Sequence, residues 1–117
     1  MGIPIFFQSQ GTKYRLRDIR KCQKWLEHLT EQEGSALGEI YITFTSDDGL
    51  LEINKQYLSH NFYTDIITFP YQEESEALHS DIFISVDRAK ENAKSFGTTY
   101  TNEIHRLLAH GFLHLTG

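Results

Sequence analysis

Two different hydrophobic periods lie side by side in this chain, and that juxtaposition limits its fold more than any other feature. Ile19, Cys22, Leu26 and Leu29 recur at three- and four-residue steps between charged neighbours, which puts them on one stripe of an amphipathic helix ending near Gly34. A few residues later Ile40, Ile42 and Phe44 alternate with Tyr41 and Thr43, the two-residue period of a half-buried strand over Glu39 to Thr45. The helix stripe needs a sheet to cover, and the strand supplies part of one. Ile3 to Phe7 reads as a further short strand, with Pro4 suited to its start or to an edge. Ser46, Asp47 and Asp48 offer side-chain oxygens to the first turn of a helix from about Asp48 to Tyr57. Asp65 to Tyr71 and Asp81 to Val86 read as two more strands, joined by the acidic loop Gln72 to Ser80. Asp87 opens a helix to Phe96 that Gly97 closes. The expected fold is therefore α+β, a mixed sheet of about four strands with helices packed on it, forming one domain over residues 1–117.

The last segment, Thr101 to Leu115, reads as a buried helix carrying three histidines. Thr101 or Asn102 can cap it, Glu103 suits the positive end of the helix dipole, and Ile104, Leu108, Gly111 and Leu115 share one face.

Composition sets outer limits. With 117 residues, 39% of them apolar, the chain can fill one core. Its longest apolar stretches, Ile40 to Phe44 and Ile82 to Val86, fall far short of the roughly 18 to 20 residues of a membrane span. A cytoplasmic protein with no membrane partner is expected. The single cysteine, Cys22, has no internal partner for a disulfide and falls in register with the apolar stripe, as a small buried hydrophobe does. A formal charge of -5 argues against a surface coated in positive potential, yet Lys13, Arg15, Arg17, Arg20, Lys21 and Lys24 concentrate the basic groups in one stretch. Such a patch can meet phosphates or can form the solvated face of a helix.

The chemistry concentrates at His110 and His114. Four residues apart on a helix, they are separated by about 40° and one turn, so both imidazoles can reach one ion. Gly111, Phe112 and Leu113 between them are non-polar and imply a low-dielectric setting. Catalytic zinc takes three protein ligands with a fourth position open, so the pair is incomplete. His105 does not complete it, because five residues back from His110 it lies about 140° around the axis. Peptidase zincins carry a glutamate directly after the first histidine as general base; here that position is Gly111, read as open space against the backbone, and peptide hydrolysis is disfavoured.

The run His110-Gly111-Phe112-Leu113-His114-Leu115-Thr116-Gly117 resembles the signature of the YbeY family of metal-dependent endoribonucleases, or ribosomal RNA maturation factors. Thr64-Asp65-Ile66-Ile67-Thr68-Phe69, within the stretch Asn54 to Phe69, and Ser80-Asp81-Ile82-Phe83-Ile84-Ser85 are similar to two further family segments. The resemblance runs in order over most of residues 39–117. It implies one Zn2+ per chain held by His110, His114 and a third histidine three residues beyond Gly117. It also implies single-stranded ribosomal RNA in the small ribosomal subunit as partner, with a role in 16S rRNA 3′-end maturation and ribosome quality control. Departures are visible as well. The family's RNA-contacting arginine falls on Leu58, its aspartate on Asn61, its proline on Tyr63 and a glycine on Ser80. The lost arginine keeps open a ribosome- or protein-binding module with a structural metal and weak or no nuclease activity. Arg106, one turn before His110, is a candidate replacement charge or a structural group. Asp65 and Glu103 are candidate bases by charge alone, and no catalytic residue is assigned. His60 and His79 fall in or beside expected loops. Phe62, Tyr63 and Tyr71 can stack on unpaired bases or form core and cleft wall.

Overall fold

The computed structural model describes residues 2–71 and 77–117. These form β1 (Ile5–Ser9), α1 (Ile19–Gln32), β2 (Ala36–Thr45), α2 (Asp47–Leu58), β3 (Ile66–Pro70), β4 (Ala77–Ser85), α3 (Val86–Phe96) and α4 (Tyr100–Thr116). The four strands make one sheet in the order β1-β2-β4-β3. β1 and β4 both run parallel to β2, while β3 runs antiparallel to β4. The fold is α+β with a mixed sheet, as the two hydrophobic periods require.

Alternation along β2 sorts its side chains. Ile40, Ile42 and Phe44 are buried, whereas Tyr41 on the opposite face is exposed. Pairing then extends the apolar row sideways, since Ile40 lies opposite Ile5 of β1, Ile42 opposite Ile82 and Phe44 opposite Ile84 of β4. Onto this row α1 brings Leu26, α3 brings Ala89, and α4 brings Ile104, Leu107, Leu108 and Phe112. Each large side chain sealed there contributes about 1.5–3 kcal/mol relative to exposure. The other face of β3 and β4 carries Phe69 and Phe83 in edge contact, and Tyr57 of α2 meets Phe69 edge-on.

Several boundaries differ from the sequence reading, each for a local reason. β1 begins at Ile5, because the Ile5 amide donates to the Ile3 carbonyl at 2.8 Å in a tight turn around Pro4. β2 and β4 are both longer than expected, pairing Ala36 with Ala77 and Leu37 with Leu78. Residues 77–80, expected in the acidic loop, belong to β4; residues 72–76 of that loop lie outside the described residues. The alternation is interrupted between Leu37 and Ile40, where the register shifts. Gly38 sits at that break: a Cβ there would stand 2.5 Å from the Leu78 carbonyl oxygen and 2.6 Å from the His79 ring.

Three of the four helix starts among the described residues, those of α2, α3 and α4, follow a common rule, while α1 begins at Asp18 without a side-chain cap. Ser46, Ser85 and Thr99 accept hydrogen bonds from the amides of Gly49, Arg88 and Asn102 at 3.1, 3.0 and 3.1 Å, satisfying first-turn donors. The cap of α4 is thus Thr99, not Thr101 or Asn102. Asp47 ties two of these starts together, accepting from the Ser85 hydroxyl at 2.7 Å and from Arg88 at 3.0 Å while its own amide donates to Asp87 at 2.9 Å. Gly97 closes α3 at φ 66, as expected. Among the described residues no helix is long and apolar enough to cross a membrane.

Replacing Gly38 by Ala forces a methyl into the Leu78 carbonyl, and the cost of such overpacking is about 1–3 kcal/mol. A fall in the urea midpoint at unchanged slope is the expected result.

Candidate metal and polar site on the last helix

The orientation of α4 is set by what it buries. At about 100° per residue, Glu103, His110 and His114 fall within about 40° of one another, with Arg106 about 40° beyond His110. They form a polar stripe beside the buried residues Leu107, Leu108 and Gly111. Gly111 is no open space. A Cβ at that position would lie 3.0 Å from the Cδ1 of Ile66 and 3.5 Å from that of Ile82, so glycine lets the helix approach the sheet. The absent zincin glutamate would point into the core, which removes it as a base for a packing reason as well.

His110 and His114 are both exposed. The low-dielectric setting expected for them is corrected here: Gly111 and Phe112 are buried against the sheet, while the two rings and Leu113 face solvent. Among the described residues neither ring has a hydrogen-bond partner. Two partner-free imidazoles one turn apart suit a divalent cation as donors. No group of three or more His, Cys, Asp or Glu side chains that could hold a metal occurs among the described residues, so the pair is a partial donor set. His105 faces elsewhere, as its spacing requires, with its Nε2 3.7 Å from the Cys22 sulfur and its ring 5.6 Å from that of Trp25 on α1.

Earlier on the same stripe, Glu103 and Arg106 meet each other, and Arg106 also meets Asp65, which lies just before β3. Arg106 donates to both oxygens of the buried Glu103, at 2.7 and 2.6 Å, and its guanidinium lies 3.9 Å from Asp65. Asn92 of α3 donates to Asp65 at 3.1 Å and to Glu103 at 3.3 Å. The Arg106 hydrogen bonds hold the Glu103 carboxyl below the usual carboxylate range, against burial, which acts to raise it, and Asn92 adds to the lowering. Glu103 also holds the Arg106 guanidinium above its ordinary value. Arg106 is therefore a structural partner of Glu103 rather than a free phosphate contact. Sequence reasoning does not reach Asn92; its one signal is an Asn inside a helix, where it is a poor former.

A cleft of about 270 Å³ lies where α2 and β3 meet, lined by Asn54, Leu58, His60, Phe62, Ile66 and their neighbours. Ile66 also touches the Gly111 position, so the cleft adjoins the seat of α4. The side-chain amide of Asn54, buried in α2, donates to the Phe62 carbonyl at 2.9 Å, and its backbone carbonyl accepts from the His60 amide at 3.1 Å. It fixes the loop that places Leu58, His60 and Phe62. His60 stacks on Phe62 with ring centroids 5.0 Å apart. His79 does not lie in a loop: it belongs to β4 and accepts from the Glu39 amide at 3.2 Å. Phe62, Tyr63 and Tyr71 are all exposed, so none is core. The Tyr63 hydroxyl donates to Asp48 at 3.1 Å and that of Tyr71 to Asp81.

These features define a class: an α+β domain that presents an imidazole pair at the solvent side of a sheet-packed helix, beside a small cleft. The family model described as Endoribonuclease YbeY matches residues 6–117. Endoribonuclease YbeY from Cytophaga hutchinsonii is 44% identical over 113 residues, covering 97% of this chain and 79% of that protein. That from Bacteroides thetaiotaomicron is 44% identical over 115 residues, covering 97% and 82%. The solution structure of TM1509 from Thermotoga maritima superposes with a TM-score of 0.67 at 26% identity, covering 97% of this chain and 72% of that one. The chain belongs to the Endoribonuclease YbeY family.

A carboxyl held low in the folded state contributes stability above its unfolded pKa, near the ordinary Glu value of 4.5, and loses it as pH falls through the lower folded value. Glu103→Gln should therefore flatten the acid limb of stability against pH, and at neutral pH it should cost about 1–3 kcal/mol. Gly111→Val should lower stability by about 1–3 kcal/mol through overpacking on Ile66. Gly111→Ala should cost less, since the gain in helix propensity of about 1 kcal/mol offsets part of the contact. Urea titrations across pH 3 to 7 check both sites.

Proposed function

We propose that this protein is a zinc-dependent endoribonuclease specific for single strands, acting in the cytoplasm on ribosomal RNA of the small subunit. Its role is 16S rRNA 3′-end maturation and ribosome quality control. The observation that carries this reading is the exposed, partner-free pair His110 and His114 on a helix whose neighbours are fixed by packing. Family membership supports the reaction class. The metal identity rests on nitrogen ligation, which suits zinc.

When bound, zinc supplies Lewis acidity toward a phosphodiester oxygen and activates water for attack on phosphorus. The chain's own groups then divide the remaining work. His110 and His114 hold the ion. Glu103, clamped by Arg106, fixes the helix but is sealed, with only 1% of its side chain exposed against 30% for Asp65. Of the two carboxylates, Asp65 is the better placed to accept a proton. Phe62, stacked on His60 at the cleft, offers an exposed ring face to an unpaired base.

One observation favours a second reading. Leu58 stands where the family arginine falls, lines the cleft and is 39% exposed, and Arg106 is engaged with Glu103. A ribosome- or protein-binding module with a structural metal and little nuclease activity fits that loss of charge.

Cleavage of a labelled single-stranded RNA by this protein, alongside its metal content, separates the two. His110→Ala and His114→Ala should each lower metal content and reduce cleavage by about 100-fold or more. Thermal stability of the metal-free variants should stay within about 0.5 kcal/mol of the metal-free parent, because both rings are exposed. Cleavage that survives His114→Ala removes the nuclease assignment, and a parent that binds metal without cutting favours the binding module.

A further inference from the structure

A cavity of about 850 Å³ lies between the segment leading into α1 and the start of α4. It sits at the opposite end of α4 from His114, and its lining combines two kinds of group. Tyr14, Trp25 and Tyr100 supply aromatic surface, while Arg15, Arg17 and Lys21 stand around it. Trp25 keeps 38% of its surface exposed even though its ring contacts His105. Tyr14 and Tyr100 pack with centroids 5.4 Å apart, and Tyr14 in turn meets Phe44 of the core, so that wall is rigid. Burial pushes the Tyr100 hydroxyl up to about 12.

The three cations are exposed, and none takes part in an ion pair among the described residues. Asp18 is the one acidic group in the lining. In a chain of net charge -5, an excess of free positive charge around an aromatic cavity is a local inversion of sign. Aromatic faces with unpaired cations at their rim fit unpaired nucleotides, whose bases stack while their phosphates meet the charges. An acidic peptide would use the cations but leave the aromatic surface without a counterpart.

The geometry points to this cavity as a second contact for single-stranded RNA, holding nucleotides of the substrate away from the cleavage site, with Trp25 as the stacking platform and Arg15, Arg17 and Lys21 as phosphate contacts. This rests on the nuclease reading for the identity of the strand but not for its binding. The basic cluster visible in the sequence then has a use that a solvated helix face would not give it.

Trp25 is the only tryptophan, so intrinsic tryptophan fluorescence reports on this cavity alone. A short oligouridylate should quench it in the His114→Ala protein, where turnover is expected to be slowed, and the same sequence in a duplex should not. In that background Arg15→Ala with Lys21→Ala should weaken binding of fluorescein-labelled oligouridylate, measured by anisotropy, by tenfold or more at low salt. The slope of log affinity against log salt should become shallower by about 0.7 for each phosphate no longer neutralised. Both side chains are exposed, and an unchanged melting curve checks the fold. If the parent cleaves RNA while Trp25 fluorescence and the double variant's affinity stay unchanged, the second contact is refuted and the nuclease reading stands. Quenching and salt-dependent binding without cleavage by the parent would refute the nuclease and keep the contact. No RNA binding by any form overturns both.

Discussion

The close seating of α4 on the sheet governs everything else in this molecule. Gly111 lets the helix backbone approach Ile66 and Ile82, and Ile104, Leu107, Leu108 and Phe112 lock its rotation from the same side. Burying one face removes a helix's freedom to rotate about its axis, so this packing decides where the remaining residues point. His110 and His114 are sent to solvent together. Glu103 is carried beneath Arg106, where bidentate pairing lets an ionised carboxylate remain buried. Thr99 fixes where the helix begins, and hence the phase of every residue after it.

Much of this arrangement was legible in the residues, and what was not has identifiable causes. The period of Ile40, Ile42 and Phe44 revealed the central strand, and the i, i+4 spacing placed the two imidazoles on one side with His105 on another. The first residues of β2 and β4 were illegible because Gly38 interrupts the alternation where the register shifts. Burial of the histidines was misjudged for a related reason. Non-polar neighbours in sequence lie on different sides of a helix, so Phe112 can be sealed while His110 is wet. The meeting of Asp65, Asn92, Glu103 and Arg106 joins three separate parts of the chain, and no local pattern encodes such a contact. Leu58 shows the opposite case: its departure from the family pattern is plain in the sequence, while its consequence depends on the cleft it lines.

Charge is distributed unevenly over the same frame. Arg106 and Arg88 are engaged, with Glu103 and Asp47, whereas Arg15, Arg17 and Lys21 at the other end of α4 take part in no ion pair among the described residues. A protein of acidic overall composition can thus meet a polyanion over a limited area while repelling it elsewhere. Orientation of a strand across such a surface follows from where repulsion is absent as much as from where attraction is present.

The order of the strands has a bearing on how the chain acquires its shape during synthesis. Ile42 pairs with Ile82, so the middle of the sheet cannot close until the residues around position 82 have left the translating machinery. Until then β2 can pair only with β1, and its other margin offers unmatched amides and carbonyls to any extended segment nearby. Parallel pairing over that separation is entropically slow. The nascent molecule therefore passes through a stage at which its central apolar strand has an open, adhesive edge.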